Sequence, residues 1–170
     1  MSAPSPKPTC LKVFPENIPE LLTSLPQWVT WRAVWQDDRG KWTKVPHQPD
    51  GRKAKSTDPA TWAEFGECLE AYQVRGFDGI GFVFTEEAGI IGVDLDKCVA
   101  EDGTIDEWAL EAVHRFNSFT ELSPSGTGLH IYVRGDIPMT GTKRGHVEIY
   151  RQSRFFTVTG RLLEVRCGHD

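Results

Sequence analysis

The sequence predicts an α+β fold, an antiparallel sheet with helices packed on one face. Three observations carry the prediction. Short apolar runs punctuated by glycine recur through the second half of the chain, and helical spacing of apolar residues shows in two segments. The order, strands, then a helix, then more strands, is typical of such a sheet. The chain has 170 residues, 39% hydrophobic and 25% charged, a globular composition sufficient for one domain or two small lobes sharing a cleft.

Residues 1–24 hold several prolines and little periodicity, and are expected to form a flexible tail. The opening MSAPSPKPTC has no apolar core of a secretion signal, and no apolar run approaches a membrane span, so a cytoplasmic protein is expected. WVTWRAVW (28–35) and KWTKVPH (41–47) are strand-like and separated by the turn-forming DDRG, which predicts a hairpin. The loop PDGRKAKSTDP follows. Its Thr57 or Asp58 is placed to cap a helix with Pro59 in the first position, running to about Tyr72 and burying Trp62, Phe65 and Leu69. These elements form a small N-terminal α/β lobe over residues 25–75.

The larger lobe is expected over residues 76–165. GIGFVF (79–84) and GIIGVDLD (89–96), joined by TEEAG, read as a second hairpin. DEWALEAVHRF (106–116) is amphipathic, with Trp108, Leu110, Val113 and Phe116 inward. SFTEL (118–122), LHIYV (129–133), HVEIY (146–150) and RFFTVTG (154–160) complete the strands.

The net charge of −5 argues against a protein that coats nucleic acid through bulk phosphate neutralisation. Basic clusters at RKAK (52–55), KR (143–144) and RQSR (151–154) are local, and each also suits a solvated loop. Cys10, Cys68, Cys98 and Cys167 form no CxxC pair, so reduced thiols and no zinc site are expected; the closing CGHD, with Cys167 and His169, reads as a chain end.

Chemistry concentrates on three strands. Side chains alternate along a strand, so Asp94 and Asp96 share one face while Val93 and Leu95 take the other. Backbones two residues apart are separated by roughly 6.5–7 Å, a span that two carboxylates can close around Mg²⁺ or Mn²⁺. A lone Asp-x-Asp also suits a solvated strand end. The same parity puts His130 and Tyr132 opposite Leu129, Ile131 and Val133, and Glu148 and Tyr150 opposite Val147 and Ile149. If these strands share a sheet, Asp94, Asp96, Glu148 and His130 converge, as a metal-and-phosphate site requires. Before His130 runs SPSGTG, whose Gly126 and Gly128 allow backbone N–H groups to turn toward an anion, with Ser125 adding a hydroxyl. The same residues also make a plain turn, and no Gly-Lys-Ser/Thr of a Walker loop follows.

In order, GIIGVDLD, SPSGTGLH and VEIY resemble the three motifs of the archaeo-eukaryotic primase superfamily, particularly the primase-polymerase domains of phage and plasmid replication proteins. The trailing RFFTVTG is similar to the segment after the third motif, and the resemblance covers roughly residues 26–160. It implies an RRM-like antiparallel catalytic sheet, with the small lobe as the other wall of a cleft. It implies that Asp94, Asp96 and Glu148 are catalytic metal ligands, and that Ser125, Gly126 and His130 meet nucleotide phosphates. Lys44, in a Lys-x-Pro element similar to one in relatives, is a further phosphate contact, or else a solvated strand residue. Arg154 contacts template or phosphate, or simply flanks the last strand. The activity implied is template-directed nucleotidyl transfer, as DNA primase and polymerase, by a two-metal mechanism with Mg²⁺ or Mn²⁺. The partners implied are single-stranded DNA template, primer, (d)NTPs, and a helicase or helical accessory domain, in a phage- or plasmid-bearing host. A metal-dependent nuclease and a non-catalytic nucleic-acid- or nucleotide-binding module are the alternatives. Relatives often continue into a helical domain that assists initiation, so the resemblance leaves priming, as against extension, open.

Overall fold

The computed structural model describes residues 5–135 and 141–163. Its strands form two antiparallel sheets. In the first, β2 (Lys41–His47), β1 (Trp28–Gln36), β3 (Gly79–Val83) and β9 (Phe155–Val158) lie in that order. In the second the order is β5 (Phe119–Leu122), β6 (Leu129–Arg134), β4 (Ile90–Leu95), β8 (Val147–Tyr150) and β7 (Gly141–Arg144). Helices α1 (Glu20–Thr23), α2 (Phe65–Arg75) and α3 (Glu107–Phe116) complete an α+β fold. No helix among the described residues is long and apolar enough to cross a membrane.

Two apolar clusters explain the layering. Trp28, Ile80, Phe82, Phe84, Ile90, Tyr132 and Phe156 pack between the two sheets, joined by Leu22 and Cys68. On the far side of the five-stranded sheet, Val93, Leu95, Leu129 and Ile131 meet Ala109 and Val113 of α3. The five-stranded sheet is therefore covered on both faces, by α3 and by the other sheet. Gly92 of β4 makes the close approach between sheets possible, because a Cβ there would collide with Phe84 and Phe156.

Several expectations are corrected. GIGFVF and GIIGVDLD are not a hairpin: β3 lies between β1 and β9, while β4 lies between β6 and β8. Both strands are buried almost throughout, with little exposed alternation, as strands sandwiched on both faces require. The turn between them, with Gly89 at φ 65° and its N–H on the Glu86 carbonyl, carries the chain from one sheet to the other. Sheet membership thus crosses residue 75, since β3 and β9 join the N-terminal hairpin β1–β2.

The stretch before residue 24 is not loose where it is described. Val13, Ile18 and Leu22 are buried, and the Trp28 indole N–H donates to the Leu22 carbonyl at 3.0 Å. Asp58, not Thr57, accepts from the Ala60 N–H, but it caps only a single 3-10 turn, Pro59–Thr61. Ala63 and Trp28 then exchange backbone hydrogen bonds of 2.8 and 3.0 Å, which holds the chain extended. The helix therefore starts at Phe65, ends at Arg75, and buries Cys68 and Ala71, leaving Trp62 outside it. In α3 the inward residues are Ala109 and Val113, while Trp108 and Phe116 are exposed. Residues 143–144, expected in a basic loop, belong to β7. Cys10, Cys68 and Cys98 are free thiols. Cys167 and His169 lie outside the described residues.

Candidate active site

The antiparallel register brings the expected residues into one row across the five-stranded sheet. Asp94 on β4 stands opposite His130 on β6 and opposite Glu148 on β8. Neighbouring strands lie about 4.8 Å apart, so Asp94 has a titratable neighbour on each side. The row continues to Glu121 on β5, opposite His130, and to the register position of Lys143 on β7. Its face turns toward the four-stranded sheet, and a cleft opens between them. Asp94, His130, Glu148 and Tyr150 form its floor. Lys44 of β2, Ser56, and Phe155, Phe156 and Thr157 of β9 face them, with Arg154 at the rim.

Charges in the cleft are mixed. His130 Nε2 lies 3.6 Å from Asp94 Oδ1. Burial raises the Asp94 pKa above its ordinary value. The positive character of His130 and Lys44 opposes the rise, whereas Asp96 and Glu148 add to it. Desolvation likewise pushes the Lys44 ammonium down, opposed by Cys10, Asp94 and Asp96. Tyr150 donates its hydroxyl to Glu148 Oε2 at 2.6 Å and receives Arg154 Nη2 at 2.9 Å. The Arg154 guanidinium lies over the Tyr150 ring, 4.6 Å from its centroid, and 4.0 Å from Glu148 Oε2. Burial and the hydrogen bond to Glu148 raise the Tyr150 pKa, so the phenol stays a donor.

Not every expected residue joins this floor. Asp96 lies one residue beyond β4, exposed, with its N–H on the His146 carbonyl at 2.8 Å. It acts on Asp94 and Lys44 through charge. Ser125 and Gly126 lie outside the cleft; Ser125 lines a smaller, more apolar pocket that shares Lys44 with it. The reading of SPSGTG as a backbone anion cradle is also corrected. The N–H groups of Gly126, Thr127 and Gly128 are spent inside the loop, on the Ser123 carbonyl, Ser125 Oγ and Ser123 Oγ respectively. Serine and threonine hydroxyls compete for local backbone donors in this way. Gly128 instead serves close packing, since a Cβ there would stand 2.8 Å from the Leu95 carbonyl oxygen. Ser125 retains an exposed hydroxyl, bonded to Thr127 Oγ1 at 2.8 Å.

Sequence reasoning misses Glu121. Its carboxylate is fully buried, directly behind His130. The alternation in SFTEL that places Phe119 on the face of Tyr132 puts Glu121 on the face of His130, and this parity is the available signal.

Among the described residues no three His, Cys, Asp or Glu side chains are gathered at ligand spacing. The donor chemistry nonetheless fits a hard cation. Burial raises the Asp94 pKa and the nearby Asp96 and Glu148 carboxylates add to the rise, and Mg²⁺ is commonly held by one or two carboxylates plus substrate phosphates rather than by a complete protein cage.

The fold and site together define a class: an α+β domain with a carboxylate–histidine row flanked by cations in an inter-sheet cleft. No family model matches the chain. Over 153 residues, 85% of its length, the chain is 35% identical to a protein named DNA primase-polymerase from Nitratiruptor phage NrS-1. It spans 20% of that relative's length. The motif resemblance to primase-polymerases thus extends to similarity over most of this chain.

Proposed function

We propose that the chain is a template-directed nucleotidyltransferase domain of a replication protein, acting on nucleoside triphosphates with a DNA template and primer. The observation that carries this reading is Asp94 in register with both His130 and Glu148, facing Lys44 and Arg154 across the cleft. The phage relative supports it by its name. Mg²⁺ or Mn²⁺, held by Asp94 and Glu148 with Asp96 beside them, would activate a primer 3′-hydroxyl and neutralise the leaving pyrophosphate.

The remaining work falls to the protein's own side chains. Lys44 enters the cleft as a point charge for the triphosphate, and the pull of Asp94 and Asp96 helps keep its ammonium charged despite desolvation. His130 would donate an Nε2–H to a phosphate oxygen, with both ring nitrogens protonated in that contact. Tyr150 and Arg154 hold one oxygen of Glu148 and brace that carboxylate at the rim. Positioning and electrostatics supply most of the rate enhancement in phosphoryl and nucleotidyl transfer, so a pre-arranged row of this kind suffices.

End-labelled primer annealed to a single-stranded template, incubated with Mg²⁺ or Mn²⁺ with and without nucleotides, tests the reading. Extension that requires nucleotide is expected. Shortening of the primer without nucleotide would identify a nuclease instead.

A further inference from the structure

Glu121 is a heavily bonded side chain beside the cleft, and it touches neither the proposed metal-holding carboxylates nor the cleft itself. Its carboxylate is wholly buried and accepts four hydrogen bonds. The backbone N–H groups of Thr159 and Gly160 donate to Oε1 at 3.1 and 3.0 Å. Tyr132 OH, at 3.1 Å, and His130 Nδ1, at 3.2 Å, meet at Oε2. Burying a carboxylate is costly unless every lone pair is used, and here donors surround it on both oxygens. Burial, with the negative charge of Glu121, pushes the Tyr132 phenol well above its ordinary pKa, so the hydroxyl keeps its proton and donates it to the carboxylate. An ionised carboxylate accepts only, so His130 must carry a proton on Nδ1 to bond with it. Nε2 then faces Asp94 and the cleft, and it can donate to a phosphate oxygen only when it too carries a proton. Phe156 lies against the imidazole with centroids 4.9 Å apart and an interplanar angle of 30°, which leaves the ring little freedom to rotate.

We infer that Glu121 is a positioning residue for the nucleotide site: from the neighbouring strand, on the same face of the sheet, it holds the Nδ1 proton of His130 and so leaves Nε2 as the ring nitrogen that meets the triphosphate. The same carboxylate ties the chain after β9 to β5, coupling the two sheets that form the cleft. This inference rests on the nucleotidyltransferase reading for its substrate, though not for its geometry. Outer groups that orient a ligating or catalytic histidine typically change affinity or activity about 10- to 100-fold when altered.

Glu121→Gln tests it, because the amide retains the shape and an acceptor for Thr159 and Gly160 but presents an NH₂ toward His130. With ¹⁵N-histidine, wild type should show its proton on Nδ1, and the variant should lose it from Nδ1. The variant's kcat/KM for nucleotide should fall at least about tenfold, mainly through KM. Tyr132→Phe removes a neighbouring donor and leaves the Nδ1 contact, so it should keep both the Nδ1 proton and the wild-type KM. Retention of the Nδ1 proton in Glu121→Gln, or its loss in Tyr132→Phe, would overturn the inference even if activity changed. A folded Glu121→Gln protein with wild-type KM would overturn it too. If wild type incorporates no nucleotide yet the proton moves as described, the positioning role stands and the substrate reading falls.

Discussion

Asp94 pays for its place in the cleft. Desolvation and the charges of Asp96 and Glu148 raise its pKa, so the native protein holds that proton more tightly than the unfolded chain does. Without metal, its ionised form therefore destabilises the fold at neutral pH, and this cost disappears below the unfolded value near 3.8. In EDTA, Asp94→Asn should melt above wild type at pH 7, with a gap that closes as the pH falls toward 3.8. Each kcal/mol of relief corresponds to about 2–4 °C in a chain of this size. Thermal melts across that pH range check the sign. Lys44 is the counterpart: removing a charge that meets a phosphate costs about 1.5–3 kcal/mol, so Lys44→Ala should raise the nucleotide KM about tenfold or more in steady-state assays. Parity along single strands makes Asp94, His130 and Glu148 legible in the sequence alone. Glu121 obeys the same parity, but a glutamate in a short strand ordinarily faces solvent, and only the second sheet shows that this face is buried. Ser125 shows the opposite limit. The glycines of its loop suggest free N–H groups, whereas neighbouring hydroxyls and a carbonyl claim them.

At the scale of elements, the structure turns on β4 being covered on both faces. Gly92 stands opposite Tyr132 and Tyr150 in the register, and Phe84 and Phe156 occupy the space a side chain would need. Gly92→Ala should cost about 1–3 kcal/mol through overpacking. Urea titration measures it, and an unchanged midpoint would show that the two aromatic rings yield without penalty. The same double coverage is why GIGFVF and GIIGVDLD look like a hairpin in the sequence. Adjacent apolar runs with a short connection suit one, and nothing local reveals that the connection passes between layers. The start of α2 escapes sequence reasoning for a related reason. Asp58 and Pro59 are sound start signals, but a backbone bridge from Ala63 to Trp28, distant in sequence, outweighs them. The strand segments themselves, β1, β2, β6 and β8 above all, are legible because their turns and alternation are local properties.

For the whole molecule, the two sheets and the α-helices of the described residues enclose the larger apolar clusters, and the cleft lies where the sheets face each other. Burial pushes the Cys68 thiol up to about 12 and that of Cys98 to about 11, so neither is a ready nucleophile in the folded state. Iodoacetamide should leave both unmodified in native protein and label both in urea, as peptide mass mapping would show. The two-sheet closure also brings Lys44 and Arg154, which lie far apart in the chain, into the same cleft as the carboxylate row. The central claim is that this row catalyses nucleotide incorporation. The most direct measurement is incorporation on a primed single-stranded template with Mn²⁺ or Mg²⁺, comparing wild type, Asp94→Asn, Asp96→Asn and Glu148→Gln at equal folded concentration. Wild type should extend the primer according to template, and each variant should lose at least about a hundredfold, as removal of a key electrostatic group does elsewhere. Equal incorporation by wild type and Asp94→Asn would contradict the account.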